Sequence, residues 1–123
     1  MKNKTKISNG VNYTIDANGK SLGRVASEAA AVLRGKNRSD FAPNRVSPVK
    51  VIVTNIDKIK ITGKKLKQKK YTRHSTYPGS LKSFRMEEVI AKKGVSHIFK
   101  EAVYGMLPKN KLRSQMIKNL IIK

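Results

Sequence analysis

The chain of 123 residues carries 28 lysines and arginines against 7 aspartates and glutamates, which gives a formal net charge of +21. This length predicts one domain with a single modest core, and the charge indicates a polyanionic partner. The lack of cysteine excludes disulfides, thiolate metal sites and cysteine nucleophiles, and no apolar run of about 18 residues is present that could span a membrane.

The first ten residues, MKNKTKISNG, are basic and are not followed by an apolar run. They therefore predict a flexible basic tail rather than a secretory signal. Residues 11–123 predict a single α/β domain, since they contain no internal repeat and no linker of the kind that separates domains.

The first predicted elements are a strand and a helix. Alternation over residues 11–17 predicts a strand that ends at Asp16. Apolar residues from Leu22 to Leu33 then recur on one helical face, and Gly35 is placed to end that helix.

A loop with two prolines is predicted over residues 37–48. The β-branched run from Val49 to Asn55 (VKVIVTN) predicts a buried strand, and alternation from Ile56 to Thr62 (IDKIKIT) predicts a shorter one. Residues 63–80, GKKLKQKKYTRHSTYPGS, show no strong period.

Three further helices are predicted after this segment. They are expected to begin at caps formed by Ser83, Ser96 and Asn110, and the first two are expected to end at Gly94 and Pro108. The closing residues, LIIK, suit either a strand or a helix. The order of strands and helices favours a small, mostly parallel sheet covered by helices on both faces.

The stretch NGKSLGR (18–24) contains Gly19-Lys20-Ser21, which resembles the end of a phosphate-binding loop. That loop needs a glycine five residues before Gly19, where this chain has Thr14 inside an apolar run. Gly19 and Gly23 are also wrongly spaced for a dinucleotide-binding fingerprint. The stretch therefore predicts a turn followed by a helix start.

Neither histidine shows the neighbours that a catalytic or metal site would need. His74 and His97 lack metal-pair spacing, and no acid lies near His74 in the sequence. The seven acids are scattered and do not point to a two-carboxylate site. We therefore expect no metal, no cofactor and no catalytic residue.

Lysines and arginines concentrate in three sets. The densest begins at Lys58 and reaches His74 with no acid inside it, and Tyr71 and His74 within it can stack on unpaired bases. An anionic membrane would instead favour a basic amphipathic helix with large apolar residues on its other face. RNA is therefore the expected polyanion. The second set is Lys109, Lys111, Arg113 and Lys118, and the third is Arg24, Arg34, Lys36 and Arg38.

Several stretches resemble one family in both order and spacing. They are IDANGKSLGRVAS (15–27), VLRGK (32–36), FAP (41–43), VIVTNIDKIKITGKK (51–65), YTRHSTYPGSLK (71–82) and AVYGMLPKNKLR (102–113). Together they cover most of residues 13–120 and resemble the bacterial-type family of ribosomal protein thirteen of the large subunit. Each stretch alone is a weak signal, whereas TGKK followed by HSTYPGSLK and GMLPKNKL is highly specific.

The resemblance implies a three-layer α/β/α domain around a four-stranded, mainly parallel sheet. It implies a structural, non-catalytic role in the large ribosomal subunit and in its early assembly. A cytoplasmic ribosome is expected ahead of a mitochondrial or plastid one. The implied partners are large-subunit ribosomal RNA and neighbouring subunit proteins, with no membrane and no homo-oligomer.

The resemblance and the basic sets together predict a group of RNA-contacting residues. This predicted group consists of Lys20, Arg24, Arg34, Lys36, Thr62, Gly63, Lys64, Lys65, Lys67, Lys69, Lys70, Tyr71, Arg73, His74, Ser75, Tyr77, Pro78, Gly79, Lys109, Asn110, Lys111 and Arg113.

Two other functions remain open at this point. An RNA-modifying or nucleotide-using enzyme could be built on an α/β scaffold, although it would need a base or metal ligands that the sequence does not offer. A free RNA-binding regulator, acting for example on messenger RNA, could use the same basic surface.

Overall fold

The computed structural model describes residues 3–7, 10–36, 39, 46 and 48–123, with side chains from residue 12 onward. The predicted loop over 37–48, with FAP (41–43) and Arg38, lies almost wholly outside the described residues. In chain order the elements are β1 (Asn3–Ile7), β2 (Gly10–Asp16), α1 (Leu22–Arg34), β3 (Val49–Thr54), a 3-10 turn (Ile56–Lys58), α2 (Lys65–Gln68), β4 (Lys70–Arg73), β5 (Lys82–Arg85), α3 (Met86–Lys93), α4 (Val95–Met106), α5 (Arg113–Ile117) and β6 (Leu120–Ile122).

The main sheet has the strand order β1-β2-β3-β6. Strand β3 runs parallel to both β2 and β6, whereas β1 runs antiparallel to β2. Val53 lies opposite Ile15 on one side and Ile122 on the other. The chain is thus a mixed α/β domain, and the closing LIIK segment forms a strand.

Strand β3 forms the centre of the core. Val49, Val51 and Val53 have no exposed surface, and they share a face with Tyr13 and Ile15 of β2. Branched side chains pack well on a pleated surface, which is why this run forms a strand. Helix α1 packs against β2 and β3, and α4 packs against α1.

The opposite face of the sheet is more open. Thr14 and Ile52 are half-buried there, Lys50 is exposed, and Ile121 retains 37% of its surface. Helix α1 packs on β2 and β3, and α4 packs on α1. Helices on both faces of the sheet therefore stay a prediction.

Helix α1 follows the predicted pattern closely. Its buried residues include Val25, Ala26, Ala29 and Leu33, all on one face. Gly35 ends the helix with a φ of 78°, and its N–H donates to the carbonyl of Val32 at 3.0 Å. A glycine meets this left-handed conformation without the steric cost that a Cβ atom would bring.

The strand predicted from Ile56 to Thr62 is wrong. Asn55 adopts a left-handed conformation with a φ of 57°, and the chain then makes a 3-10 turn. Only Lys60 forms a single bridge with Ser21. The alternating isoleucines reflect contact with the core from a turning chain, since Ile56 is buried and Ile59 is half-buried.

The predicted helix starts are also corrected. Ser83 lies in β5, and α3 begins only after Arg85. Gly94 ends α3 as predicted, but it directly precedes α4, so Ser96 lies within that helix. The Asn110 side chain accepts the N–H of Leu112 at 3.0 Å, ahead of α5.

Three strands were not anticipated. The expected flexible tail contains β1, whose backbone pairs with β2 in a register that joins Ile7 to Gly10. The segment without a strong period contains β4, which forms a hairpin with β5 shortly after it, and Tyr71 lies opposite Phe84. Alternation is weak there because only these two residues of the hairpin strands are half-buried, and the others are exposed.

Phe99 provides a test of the core, because it is among the largest fully buried side chains. Replacing Phe99 by alanine leaves a cavity under α4 and is expected to lower the free energy of unfolding by about 3–5 kcal/mol. Urea unfolding followed by circular dichroism measures this change. Lys100→Ala, at the neighbouring exposed position, is the control and should change stability by less than about 0.5 kcal/mol.

Candidate nucleic-acid interface

Backbone hydrogen bonds join the turn before α1 to the chain after the 3-10 turn. The N–H of Gly19 donates to the carbonyl of Lys58 at 3.1 Å, and the N–H of Leu22 donates to that of Lys60 at 3.1 Å. In return, the N–H of Lys60 donates to the carbonyl of Lys20 at 2.8 Å. We call these three bonds the backbone clasp. It brings Lys20 next to Lys58 and Lys60, which are far apart in sequence.

The clasp explains why NGKSLGR is not a phosphate-binding loop. Such a loop points its N–H groups at the ligand. Here the amides of Gly19 and Leu22 are used in the clasp, and the amide of Lys20 donates to Ala17 at 3.2 Å. Gly19 has a φ of 71°, which suits a tight turn. The stretch is a turn and a helix start, as the sequence predicts.

Asp16 holds the carboxyl ends of β2 and β3 together. Its Oδ1 accepts the side-chain amide of Asn55 at 2.9 Å and the backbone N–H of Asn18 at 3.0 Å. The bond from Asn55, followed by that from Asn18, lowers the pKa of the Asp16 carboxyl below its usual value. Both bonds favour the charged carboxylate, so this acid has a structural use beside the clasp.

The lysine-rich segment from Thr62 to Lys70 is exposed to solvent along its whole length. Every residue from Thr62 to Lys70 is exposed, including all of helix α2. The segment is anchored at its end by the N–H of Met86, which donates to the carbonyl of Lys69 at 3.0 Å. The Lys69 ammonium lies 5.8 Å from the centre of the Tyr71 ring. The side chains therefore face solvent from a backbone tied to the domain.

The hairpin loop after β4 is held by one serine that sequence analysis missed. The Ser80 hydroxyl accepts the N–H of Ser75 at 3.1 Å, and it lies 3.0 Å from the Ser75 carbonyl and 2.6 Å from that of Tyr77. This local bonding presents Tyr77 with 75% of its surface exposed and Leu81 with 65% exposed. His74, Pro78 and Gly79 are exposed in the same loop. No sequence pattern identified Ser80, because its three contacts depend on the path of the loop.

The second basic set contains exposed residues and one half-buried arginine. Lys109, Asn110 and Lys111 are exposed in the turn after α4. Arg113 is half-buried, and its guanidinium carbon lies 4.1 Å above the Tyr104 ring. Its Nε is buried with no hydrogen-bond partner among the described atoms. Arg113 thus packs against α4 as well as carrying charge.

In the third set, Arg24 and Lys36 are exposed and Arg34 is half-buried. The two histidines lie in other parts of the structure. His74 belongs to the hairpin loop, and Nε2 of His97 on α4 lies 3.8 Å from Glu101. Over the described residues, no cluster of three potential ligands could hold a metal ion. The helices of that same part of the chain are all too short or too polar to cross a bilayer.

The bonds of Asp16 predict a dependence of stability on pH. Because its folded pKa is lowered, its contribution is fully present above the unfolded value of about 4 and is lost as the pH falls through the folded value. The difference in melting temperature between the wild type and Asp16→Asn should therefore be larger at about pH 7 than at about pH 3. The exposed Asp57→Asn is the control. An equal Asp16→Asn difference at both pH values would contradict this assignment.

The Ser80 contacts predict a local effect. Ser80→Ala removes the hydroxyl, so residues 75–80 should become mobile while the domain remains folded. Heteronuclear NOE values of the backbone amides measure this change, and they should fall in the loop alone. Ser83→Ala, in β5 of the same hairpin, should leave them unchanged.

Comparison with known protein sequences identifies the family of this chain. A family model for ribosomal protein L13 matches residues 11–122. A protein named large ribosomal subunit protein uL13 from Clostridium botulinum (strain Eklund 17B) is 52% identical over 108 residues, which cover 88% of this chain and 74% of the relative. The protein of the same name from Thermus thermophilus is 49% identical over 106 residues, covering 86% and 75%. The chain belongs to the ribosomal protein L13 family.

Proposed function

We propose that this chain is a structural, non-enzymatic constituent of the large ribosomal subunit and that it binds large-subunit ribosomal RNA. Membership of the L13 family supports both the assignment to the large ribosomal subunit and the non-enzymatic role. The observation that carries RNA binding is the fully exposed lysine segment from Thr62 to Lys70, which the clasp and the Met86 bond fix to a folded domain.

The mechanism is charge neutralisation by a rigid surface. Each lysine that meets a phosphate releases condensed counterions, and this release drives binding. Because the backbone of the segment is already tied to the domain, less conformational freedom is lost on binding. Lys20, Lys58 and Lys60 extend the same surface, since the clasp places them side by side. Such a surface can hold RNA segments together during early assembly.

The hairpin loop supplies a second kind of contact. Tyr77 and His74 are exposed and aromatic, so they can stack on unpaired bases. The Ser80 hydrogen bonds order the loop in advance, which reduces the conformational entropy lost when Tyr77 and His74 bind RNA. We place Thr62 to Lys70, Tyr71, Arg73 to Ser75 and Tyr77 to Gly79 in this interface. Lys109 to Lys111, Lys20, Arg24, Arg34, Lys36 and Arg113 complete the proposed set.

The family's mainly parallel sheet corresponds in this proposal to β2, β3 and β6, with β1 as an antiparallel addition. The protein acts in the cytoplasm as part of the ribosome, beside neighbouring subunit proteins. A messenger-RNA partner, which the sequence leaves open, receives no support from the described surface or from the names of the relatives.

Reversing four charges of the exposed segment tests the proposal. The quadruple variant Lys64→Glu, Lys65→Glu, Lys69→Glu and Lys70→Glu should reduce occupancy in purified large subunits at least about tenfold, because phosphate contacts become repulsions. Sucrose-gradient sedimentation at low and raised salt, with quantitative mass spectrometry of the fractions, measures the occupancy.

The matched control reverses four exposed lysines elsewhere, at Lys50, Lys100, Lys118 and Lys123. It changes the net charge by the same amount and should incorporate much better than the first variant. Equal occupancy of the two variants would show that overall charge, and not this segment, governs incorporation. Wild-type protein that stays at the top of the gradient would overturn the proposed function itself.

A further inference from the structure

A cavity with a volume of about 350 Å³ opens between the β4–β5 hairpin and helices α3 and α4. This volume lies at the lower end of the range of about 300–1,000 Å³ that is usual for small-molecule sites. The predicted RNA-contacting group includes Tyr71 and Arg73 from its lining, whereas its other walls come from residues that the family resemblance did not single out.

The apolar part of the lining is aromatic. Tyr71 and Phe84 are half-buried and lie opposite each other in the hairpin, and Val89 of α3 joins them. Flat rings next to an aliphatic side chain suit a flat heterocycle, since every nucleobase has a face that stacks on an aromatic ring. Burial, and to a lesser extent Glu101, raises the pKa of Tyr71. A neutral phenol can donate a hydrogen bond.

Cations surround these rings. The ammonium of Lys92 lies 5.0 Å from the centre of the Phe84 ring, and Lys93 and Arg73 are exposed residues of the same lining. A base stacked on these rings would therefore have its phosphate within reach of positive side chains. This pairing of stacking and charge is the pattern by which proteins hold unpaired nucleotides.

Glu101 is the only acid among the lining residues, and it favours some nucleobases over others. A carboxylate disfavours a bare anion but accepts hydrogen bonds from an exocyclic amino group, as in recognition of the cytosine N4 amine. Its Oε1 lies 3.8 Å from Nε2 of His97, which limits where the side chain can point.

We propose that this cavity receives a single unpaired nucleotide of RNA whose base carries an exocyclic amino group. The proposal rests on the RNA-binding function above and specifies one element of the RNA: a base that has left its stack. Tyr71 and Phe84 stack on the base, Glu101 accepts from its amino group, and Lys92 meets the phosphate.

Titration of the isotope-labelled full chain with cytidine monophosphate and uridine monophosphate tests the proposal, with NMR as the readout. The two nucleotides have the same phosphate and ring size and differ on one base edge: position 4 donates in cytidine and accepts in uridine, and position 3 accepts in cytidine and donates in uridine. Cytidine monophosphate should shift resonances of Tyr71, Phe84 and Val89 and bind about threefold to tenfold tighter than uridine monophosphate. Glu101→Ala should remove this preference.

The matched control is Glu88→Ala, which removes an exposed acid of α3 outside the lining and should keep the preference. Phe84→Leu should weaken the binding of both nucleotides at least about fivefold, because stacking on the Phe84 ring is lost. If it misfolds, as circular dichroism would show, the Glu101→Ala comparison decides alone.

Three results would overturn the proposal. The first is that both nucleotides shift only the lysine segment from Lys64 to Lys70. The second is that Glu101→Ala keeps the preference for cytidine monophosphate. The third is that an oligoglutamate peptide shifts the cavity resonances as strongly as the nucleotides, which would indicate a general anion site. Any of these outcomes together with wild-type occupancy in large subunits would remove this site and leave the proposed function intact.

Discussion

The backbone clasp is the interaction on which the candidate interface depends. Its bonds run between main-chain atoms of Gly19, Lys20, Leu22, Lys58 and Lys60, so they hold the chain without using any side chain. Three exposed lysines can therefore lie near one another although Asp16 is the acid beside Lys20. The main-chain bonds offset the repulsion between these lysines in the isolated protein. When a polyanion binds, the same positive charges contribute attraction instead.

The residues that pack the core are separate from the residues proposed to contact RNA. The core is built by β2, β3, α1 and α4, whereas the segment from Thr62 to Lys70 contributes no buried residue. The hairpin lies between these extremes, since Tyr71 and Phe84 reach inward while Tyr77 projects outward. A change on the exposed segment can thus alter binding without loosening the core, and a change at Phe99 acts through stability alone.

Much of the fold could be predicted wherever burial imposes a period. The run from Val49 and the apolar face of α1 were recognisable because one side of each meets the core, and Gly35 was recognisable as a helix end. The β4–β5 hairpin was not, because its exposed residues show no alternation. Lysine density indicated the interface, but the proximity of Lys20 to Lys60 and the role of Ser80 arise from tertiary hydrogen bonds that no local pattern encodes.

The position of β3 at the centre of the sheet also has a kinetic consequence. Its two parallel neighbours come from distant parts of the chain, since Val53 pairs with both Ile15 and Ile122. Closing such long loops costs entropy before any contact forms, so a fold of this topology has high contact order and folds more slowly than a helical bundle of equal length. The central strand must wait for both partners, and for that time its valines face water in a newly made chain.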